Sequence, residues 1–250
     1  MRNIEQGQLM ELHPLKGNPE SRESPITVDR IEPIDINRIR GLQTILRMLK
    51  ENRSHLEGVT DATTIFDLNR YYSESGRHGF VGIDEREGLV GVYDLSGRGV
   101  TQEVTRTRRG AQNVVLAVGF LNRMCVRTDL QARGIGDQLT KDAIRRAHGR
   151  GRDEYGWSNL LAGIVLEAAD SQRVESARIN LPDERMRETV YQDIFNELKE
   201  KDPRVKLFVV RNGFQYSGFG ANVLVGIEPR NVLLISHHQP RPTTVQGNMA

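Results

Sequence analysis

Apolar positions first fall into a period at residues 26–31, a short β-branched run that predicts a strand. Asp35, a residue type that caps helices, precedes Ile39, Leu42, Ile45, Leu46 and Leu49 at helical spacing, and Gly58 follows as a stop. A second helix is expected from about Asp61, with Ile65, Phe66, Leu68 and Tyr72 on its buried side, ending before Gly76. Residues 79–83 and 89–95 read as two strands joined by the charged turn 84–88, a hairpin pattern. Residues 96–112, rich in glycine and arginine, read as a loop insertion, and a long strand follows over 113–127. It leads through a glycine-containing turn into a helix with Leu139, Ile144 and Ala147 on one face and Gly149 past its end. Residues 160–168 are apolar except at Gly163 and Glu167, as in a buried parallel strand. Residues 170–201 read as helix broken at Pro182, and 206–210, 222–227 and 232–235 as three short strands. The polar, proline-bearing ends, 1–25 and 237–250, read as an arm and a tail. The expectation is one domain over 26–236, with insertions near 96–112 and 173–205.

Composition narrows the class. In 250 residues, 37% hydrophobic and 27% charged with a mean hydropathy of −0.51, there is material for a water-soluble domain with a sizeable core. No apolar run approaches the ~20 residues that cross a bilayer, and residues 1–15 lack the basic-then-apolar order of a secretory signal, so a cytoplasmic location is expected. The single cysteine, Cys125, excludes an internal disulfide, and as a small residue within a strand it reads as core rather than nucleophile. His78, His148, His237 and His238 show no metal-ligand spacing, so no metal is expected. A net charge of +2 does not imply nucleic acid, although residues 106–109 and 145–152 are locally basic.

The stretch 124–137 carries the chemistry. A strand, a glycine turn and a helix start suit a phosphate, because the first N–H groups of a helix are unpaired and its dipole favours an anion there. Gly134 and Gly136 let that backbone approach closely. A dinucleotide fingerprint would need a third glycine where Leu139 stands, and the Gly-Lys-Ser/Thr of a Walker loop is absent. Gln131-Ala132-Arg133-Gly134-Ile135-Gly136 resembles the coenzyme A signature of the GNAT acetyltransferase superfamily, Gln/Arg-x-x-Gly-x-Gly/Ala. The surrounding order fits as well: Val126 before the turn, an amphipathic helix after it, the strand Ile164-Val165-Leu166-Glu167, and a late Asn212-Gly213-Phe214.

That resemblance implies an α/β fold with a central mixed sheet flanked by helices. It implies acetyl-coenzyme A or another acyl-coenzyme A as cosubstrate, and direct transfer to a primary amine on a small molecule or a protein. The pyrophosphate would lie on Gln131, Ala132, Arg133, Gly134, Ile135, Gly136 and Asp137, and the pantetheine arm on Met124, Cys125 and Val126, with the Met124 N–H facing the thioester carbonyl. Gln172 falls where the family often has an asparagine near the pantetheine. The family's acid tyrosine, four residues before Gly-Phe, is here Val209. Tyr191 and Tyr216 are the substitutes, and Glu167 is the general-base candidate. Two other readings stay open: a GNAT-type protein that binds coenzyme A or a partner without turnover, and a nucleic-acid-binding or -modifying protein using the arginine clusters. A homodimer is compatible with either.

Overall fold

The computed structural model describes residues 25–53, 56, 58–107, 110–149, 155–219 and 230–236. Seven strands form one sheet in the order β1-β2-β3-β4-β5-β7-β6. They are β1 (Arg30–Pro33), β2 (Arg77–Asp84), β3 (Gly88–Thr107), β4 (Gly110–Val126), β5 (Asn159–Val165), β6 (Gln215–Phe219) and β7 (Arg230–Ser236). The first four pair antiparallel, and β4-β5, β5-β7 and β7-β6 pair parallel, which makes the mixed sheet flanked by helices that the resemblance implies.

Helices α1 (Ile39–Glu51) and α2 (Ile65–Ser73) follow β1, as their spacing predicts. Thr64, not Asp61, starts α2: its hydroxyl accepts the Asp67 N–H and the Asp67 carboxylate accepts the Thr64 N–H, a reciprocal cap. These helices bury Leu42, Ile45, Met48, Leu49, Leu68 and Tyr72 against Val81, Val92 and Cys125 on one face of the sheet. The other face packs α3 (Ile135–Ala147), α4 (Ala168–Asn180) and α5 (Glu184–Lys201) through Leu139, Ala143, Val174, Ile194 and Phe195. A buried Asp142 anchors α3 to β3, accepting from the Tyr93 hydroxyl at 2.5 Å, from Arg146 Nε at 2.7 Å and from Arg145. Burial pulls that carboxyl up, but these three donors outweigh it and leave Asp142 below its ordinary value.

Three expectations change. Residues 96–112 are not a loop: β3 and β4 stay paired from Gly97↔Gly119 out to Thr107↔Gly110, in a long hairpin. Val100, Thr101, Val104 and Thr105 supply the β-branched content that a glycine- and arginine-rich composition masks. The first strand is shorter than 26–31 because residues 26–28 run across the start of α3, where Gln138 Oε1 accepts the Val28 N–H at 2.9 Å and Gln138 Nε2 donates to the Ile26 carbonyl at 2.7 Å. Residues 206–210 are helical, not a strand: Asp202 caps a turn opened by Pro203, which runs into π-helical Lys206–Arg211. Capping chemistry and burial of Val205 and Phe208 override the β-preference of Val209 and Val210. The strand β6 was not expected, and the expected strand 222–227, residues 1–24 of the expected arm 1–25 and the tail 237–250 lie outside the described residues.

Gly97 and Gly119, opposite each other on β3 and β4, leave a flat window on which the Trp157 ring lies. A Cβ on Gly119 would stand 1.9 Å from Trp157 Cε3. Gly119→Ala is therefore expected to destabilise the domain by about 1–3 kcal/mol through overpacking, read as a lower urea midpoint, whereas an unchanged midpoint would contradict this packing.

Candidate functional site

Strands β4 and β5 pair only from Val118↔Asn159 to Leu121↔Ala162. Both continue past that point, β4 still paired with β3 as far as Val126↔Gly91 and β5 with β7 as far as Val165↔Ser236, so they part within the sheet. The Arg127 N–H donates to the Val90 carbonyl at 3.0 Å and the Arg123 N–H to Asp94 Oδ1 at 3.0 Å. With a two-residue period, the amides of Arg123, Cys125 and Arg127 thus face β3, and those of Met124 and Val126 face the opening. The Val126 carbonyl is covered by Asn52 Nδ2 at 3.3 Å and Gln131 Nε2 at 3.5 Å. The Met124 and Val126 N–H groups therefore both address the cleft.

The turn after β4 is held from both sides. Arg127 bonds Glu87 on the β2-β3 turn at 2.7 Å and Asp129 at 2.8 Å. Gln131, although exposed, is not loose: its Nε2 donates to Asn52 Oδ1, just past the end of α1, at 2.9 Å. Ala132 then adopts φ +62°, a left-handed conformation that costs a non-glycine residue roughly 1–2 kcal/mol. Gly134, at φ +84°, is the N-cap of α3 and has no side chain to bond the first turn. The N–H groups of Ile135, Gly136 and Asp137 therefore point outward without intrahelical partners. A Cβ on Gly134 would meet nothing within 4 Å, so this helix start is open to an anion. The Asp137 carboxylate is held by Lys141 Nζ at 2.7 Å and Asn212 Nδ2 at 3.2 Å, leaving its backbone for a ligand. Arg133 gives its carbonyl to the Ile26 N–H at 3.1 Å. Beside the turn, a groove of about 770 Å³ opens against α1, with Arg47, Glu51, Thr128 and Asp129 on its walls.

The other residues singled out by sequence lie further along. Glu167 is the N-cap of α4, exposed, with no capping bond from its side chain, and Gln172 is exposed on the next turn. Tyr216 stacks on Phe195 with ring centroids 4.0 Å apart. Burial, then the fields of Glu188 and Tyr191, push the Tyr216 phenol above its ordinary value, which also places Tyr191 beside it. Val209 lies in the π-helical segment. Cys125 is buried and burial raises its thiol, as befits a core residue. Of the basic clusters, Arg145 and Arg146 are spent on Asp142, and residues 108, 109 and 150–152 lie outside the described residues. Among the described residues no group of three potential metal ligands converges.

The residue that sequence reading missed is Asp94. It is fully buried on the α1/α2 face of β3, and its carboxyl is pushed up from 3.8 to about 6, by desolvation above all, against the opposing pull of Arg123 and Tyr71. Oδ1 accepts the Arg123 N–H, while Oδ2 closes no hydrogen bond, the Tyr71 hydroxyl and Asn122 amide lying near enough only to favour the charge. A lone carboxylate in the apolar run Leu89-Val90-Gly91-Val92-Tyr93-Asp94-Leu95 was the available signal. Because the folded-state value is raised, the stability tied to a neutral Asp94 is complete below the unfolded value and lost as pH rises through about 6. Asp94→Asn is therefore expected to be more stable than the wild type at pH 8, by up to roughly 3 kcal/mol, with the difference shrinking toward pH 4. Urea unfolding at several pH values measures it, and a pH-independent difference would contradict the raised value.

No protein-family model matches the chain, and no curated protein matches it. Solved structures do. An aminoglycoside acetyltransferase from an uncultured soil metagenomic sample is 16% identical, with 61% of this chain and 87% of that one covered and a TM-score of 0.37. Ribosomal-protein-alanine N-acetyltransferase from Brucella melitensis is 15% identical over 62% and 92% of the two chains, TM-score 0.38. The aminoglycoside 6'-N-acetyltransferase of Acinetobacter baumannii is 15% identical over 62% and 90%, TM-score 0.37. Identities and scores this low say nothing of activity, and the chemistry of the site rests on this chain's own residues.

Proposed function

We propose that this protein is a GNAT-type N-acyltransferase, moving an acetyl or other short acyl group from coenzyme A to a primary amine in a ternary complex. The parting of β4 and β5 beside an uncapped helix start carries the reading. An extended arm can lie along the Met124 edge as a strand would, while an anion sits on the N–H groups at the start of α3. Gln131, Ala132, Arg133, Gly134, Ile135, Gly136 and Asp137 would hold the pyrophosphate through backbone, and Met124 and Val126 the pantetheine, with Gln172 near its far side; Cys125, bonded toward β3 and buried, would only space the two. The cofactor brings the acyl group activated as a thioester. The Met124 N–H, fixed in a strand, would donate to the thioester carbonyl and gain strength as negative charge develops there, with no reorganisation at the moment of reaction.

Glu167, exposed just beyond β5, would hold a cationic part of the acceptor away from the reacting nitrogen. Tyr216, with Tyr191 beside it, holds a phenolic proton throughout the neutral range and would be the donor toward the leaving thiolate. The acceptor is an amine on a small molecule or a protein, as are the aminoglycosides, ribosomal-protein alanine and spermidine in the names of the solved acetyltransferases.

Acetyl-coenzyme A is expected to raise the thermal midpoint, by the mass action of a ligand that binds only the folded state. Gly136→Val should keep the fold, since a Cβ there meets Leu207 only at 3.5 Å and Val126 at 3.9 Å, yet abolish the shift by blocking the backbone. No wild-type shift at millimolar ligand, or an equal shift in the variant, would contradict the site. Binding without thiol release on any amine would identify a non-catalytic coenzyme A binder. For Glu167→Gln, a raised KM for the amine with kcat kept is the docking signature expected of an exposed carboxylate, whereas a ~100-fold fall in kcat alone would make it the base.

A further inference from the structure

A buried carboxylate is costly unless its oxygens are paired, and structural aspartates in this chain show that pairing: Asp142 collects three side-chain donors. Asp94, with no exposed surface, has one backbone donor on Oδ1 and none closing on Oδ2. Its place is equally particular. It is registered with Arg123, two residues beyond the last β4-β5 pair at Leu121, and therefore sits one strand away from the opening at the level where it begins. The β3-β4 register shifts between Asp94 and Leu95, a bulge of the kind that re-aims side chains beside active sites.

The groups around Asp94 come from every element packed on it. From α2 come Tyr71 and Tyr72, the latter with a buried hydroxyl that also closes no hydrogen bond. From β4 come Arg123 and Cys125, while Arg77 of β2 acts on Tyr71 and not on Asp94 itself. Glu51 of α1 reaches only as far as Cys125. The Arg123 guanidinium lies 3.8 Å from the centroid of the Tyr71 ring, and Arg77 lies 3.9 Å from the same ring. Two guanidinium groups this close to one ring centroid lie on its opposite faces, so what the cluster offers an incoming amine is not the ring but the Tyr71 hydroxyl edge beside a carboxylate with a spare oxygen.

We propose that Asp94 receives the proton of the attacking amine, which enters over α2 beside Tyr71. The inference rests on the acyl-transfer reading above. The amine enters neutral, its ammonium proton left to solvent; as its nitrogen forms the bond to the acyl carbon, an N–H bond breaks and that proton passes through a water to Asp94. The C–S bond breaks with its electron pair on sulfur, and the thiolate takes one proton either from solvent or from Tyr216, which solvent then reprotonates. Asp94 returns its proton to solvent before the next turnover. A carboxyl held near 6 is charged at neutral pH and basic enough to serve, which is the tuning that general bases need.

The test uses the full chain, acetyl-coenzyme A and three primary amines: spermidine, an aminoglycoside and a peptide with a free amino terminus. Calorimetry gives cofactor affinity, and thiol release gives kcat and KM against pH. For the wild type, kcat/KM on the best amine should fall below a limb near pH 6. Asp94→Asn should bind acetyl-coenzyme A within about twofold of wild type, lose 100-fold or more in kcat, and lose that limb. Tyr71→Phe, a smaller change should Asp94→Asn fold poorly, should keep the limb but move it to higher pH, because the Tyr71 hydroxyl helps hold the Asp94 charge. A variant with normal cofactor affinity, normal kcat and an unmoved limb overturns the proposal and leaves the transferase standing. A wild type that fails to bind acetyl-coenzyme A, or binds it and acylates none of the amines, overturns both.

Discussion

Everything at the candidate site depends on where one strand stops pairing with the next. Beyond Leu121 β4 keeps its pairing with β3 but loses β5, so a row of backbone groups is left without a strand partner inside a sheet rather than at its edge, the Val126 carbonyl alone being taken up by side chains among the bonds described. Buried backbone groups need partners, and a site that leaves them open is built for a ligand that supplies them. The face toward β3 is satisfied to the end by the Arg127 N–H on the Val90 carbonyl, which holds β4 rigid while its other face stays available.

The turn that follows is equally constrained. Asn52 reaches from the end of α1 to both the Val126 carbonyl and Gln131, and Arg127 ties the same corner to Glu87. The left-handed Ala132 is a local cost that these ties sustain, and strain of this kind is retained where it serves a site. Behind the turn, Gln138 and Asp142 fix α3 to the segment 26–28 and to β3. The helix start is thus aimed by contacts on both faces of the sheet, and the end of α1 is joined to the turn through Asn52 and through Glu51, which accepts from the Thr128 hydroxyl.

Much of this was legible in the sequence, because the change from a two-residue to a 3.6-residue period at Gln131 to Gly136 marks strand, turn and helix without tertiary help. The helices α1 to α5 were legible for the same reason. Residues 206–210 misled because Val209 and Val210 favour a strand locally, while the Asp202-Pro203 cap and the burial of Phe208 decide the outcome. The hairpin through 96–112 was hidden by its glycines and arginines. Asp94 and Asn52 were unreadable as site residues for a deeper reason. What distinguishes them is a partner 29 and 79 residues away in sequence, the Arg123 amide and Gln131; β3-β4 pairing brings the first together and the packing of α1 the second, and for Asp94 the sequence showed only a lone carboxylate in an apolar run.

Hydrogen exchange of individual amides, with and without acetyl-coenzyme A, tests the central claim most directly. The amides of Met124, Ile135, Gly136 and Asp137 should slow when the cofactor binds, the first as a strand partner is gained and the others as an anion accepts their protons. Those of Cys125 and Arg127, already bonded to β3, should change little. Protection confined to another part of the chain, with Met124 and the start of α3 exchanging as before, would contradict the account.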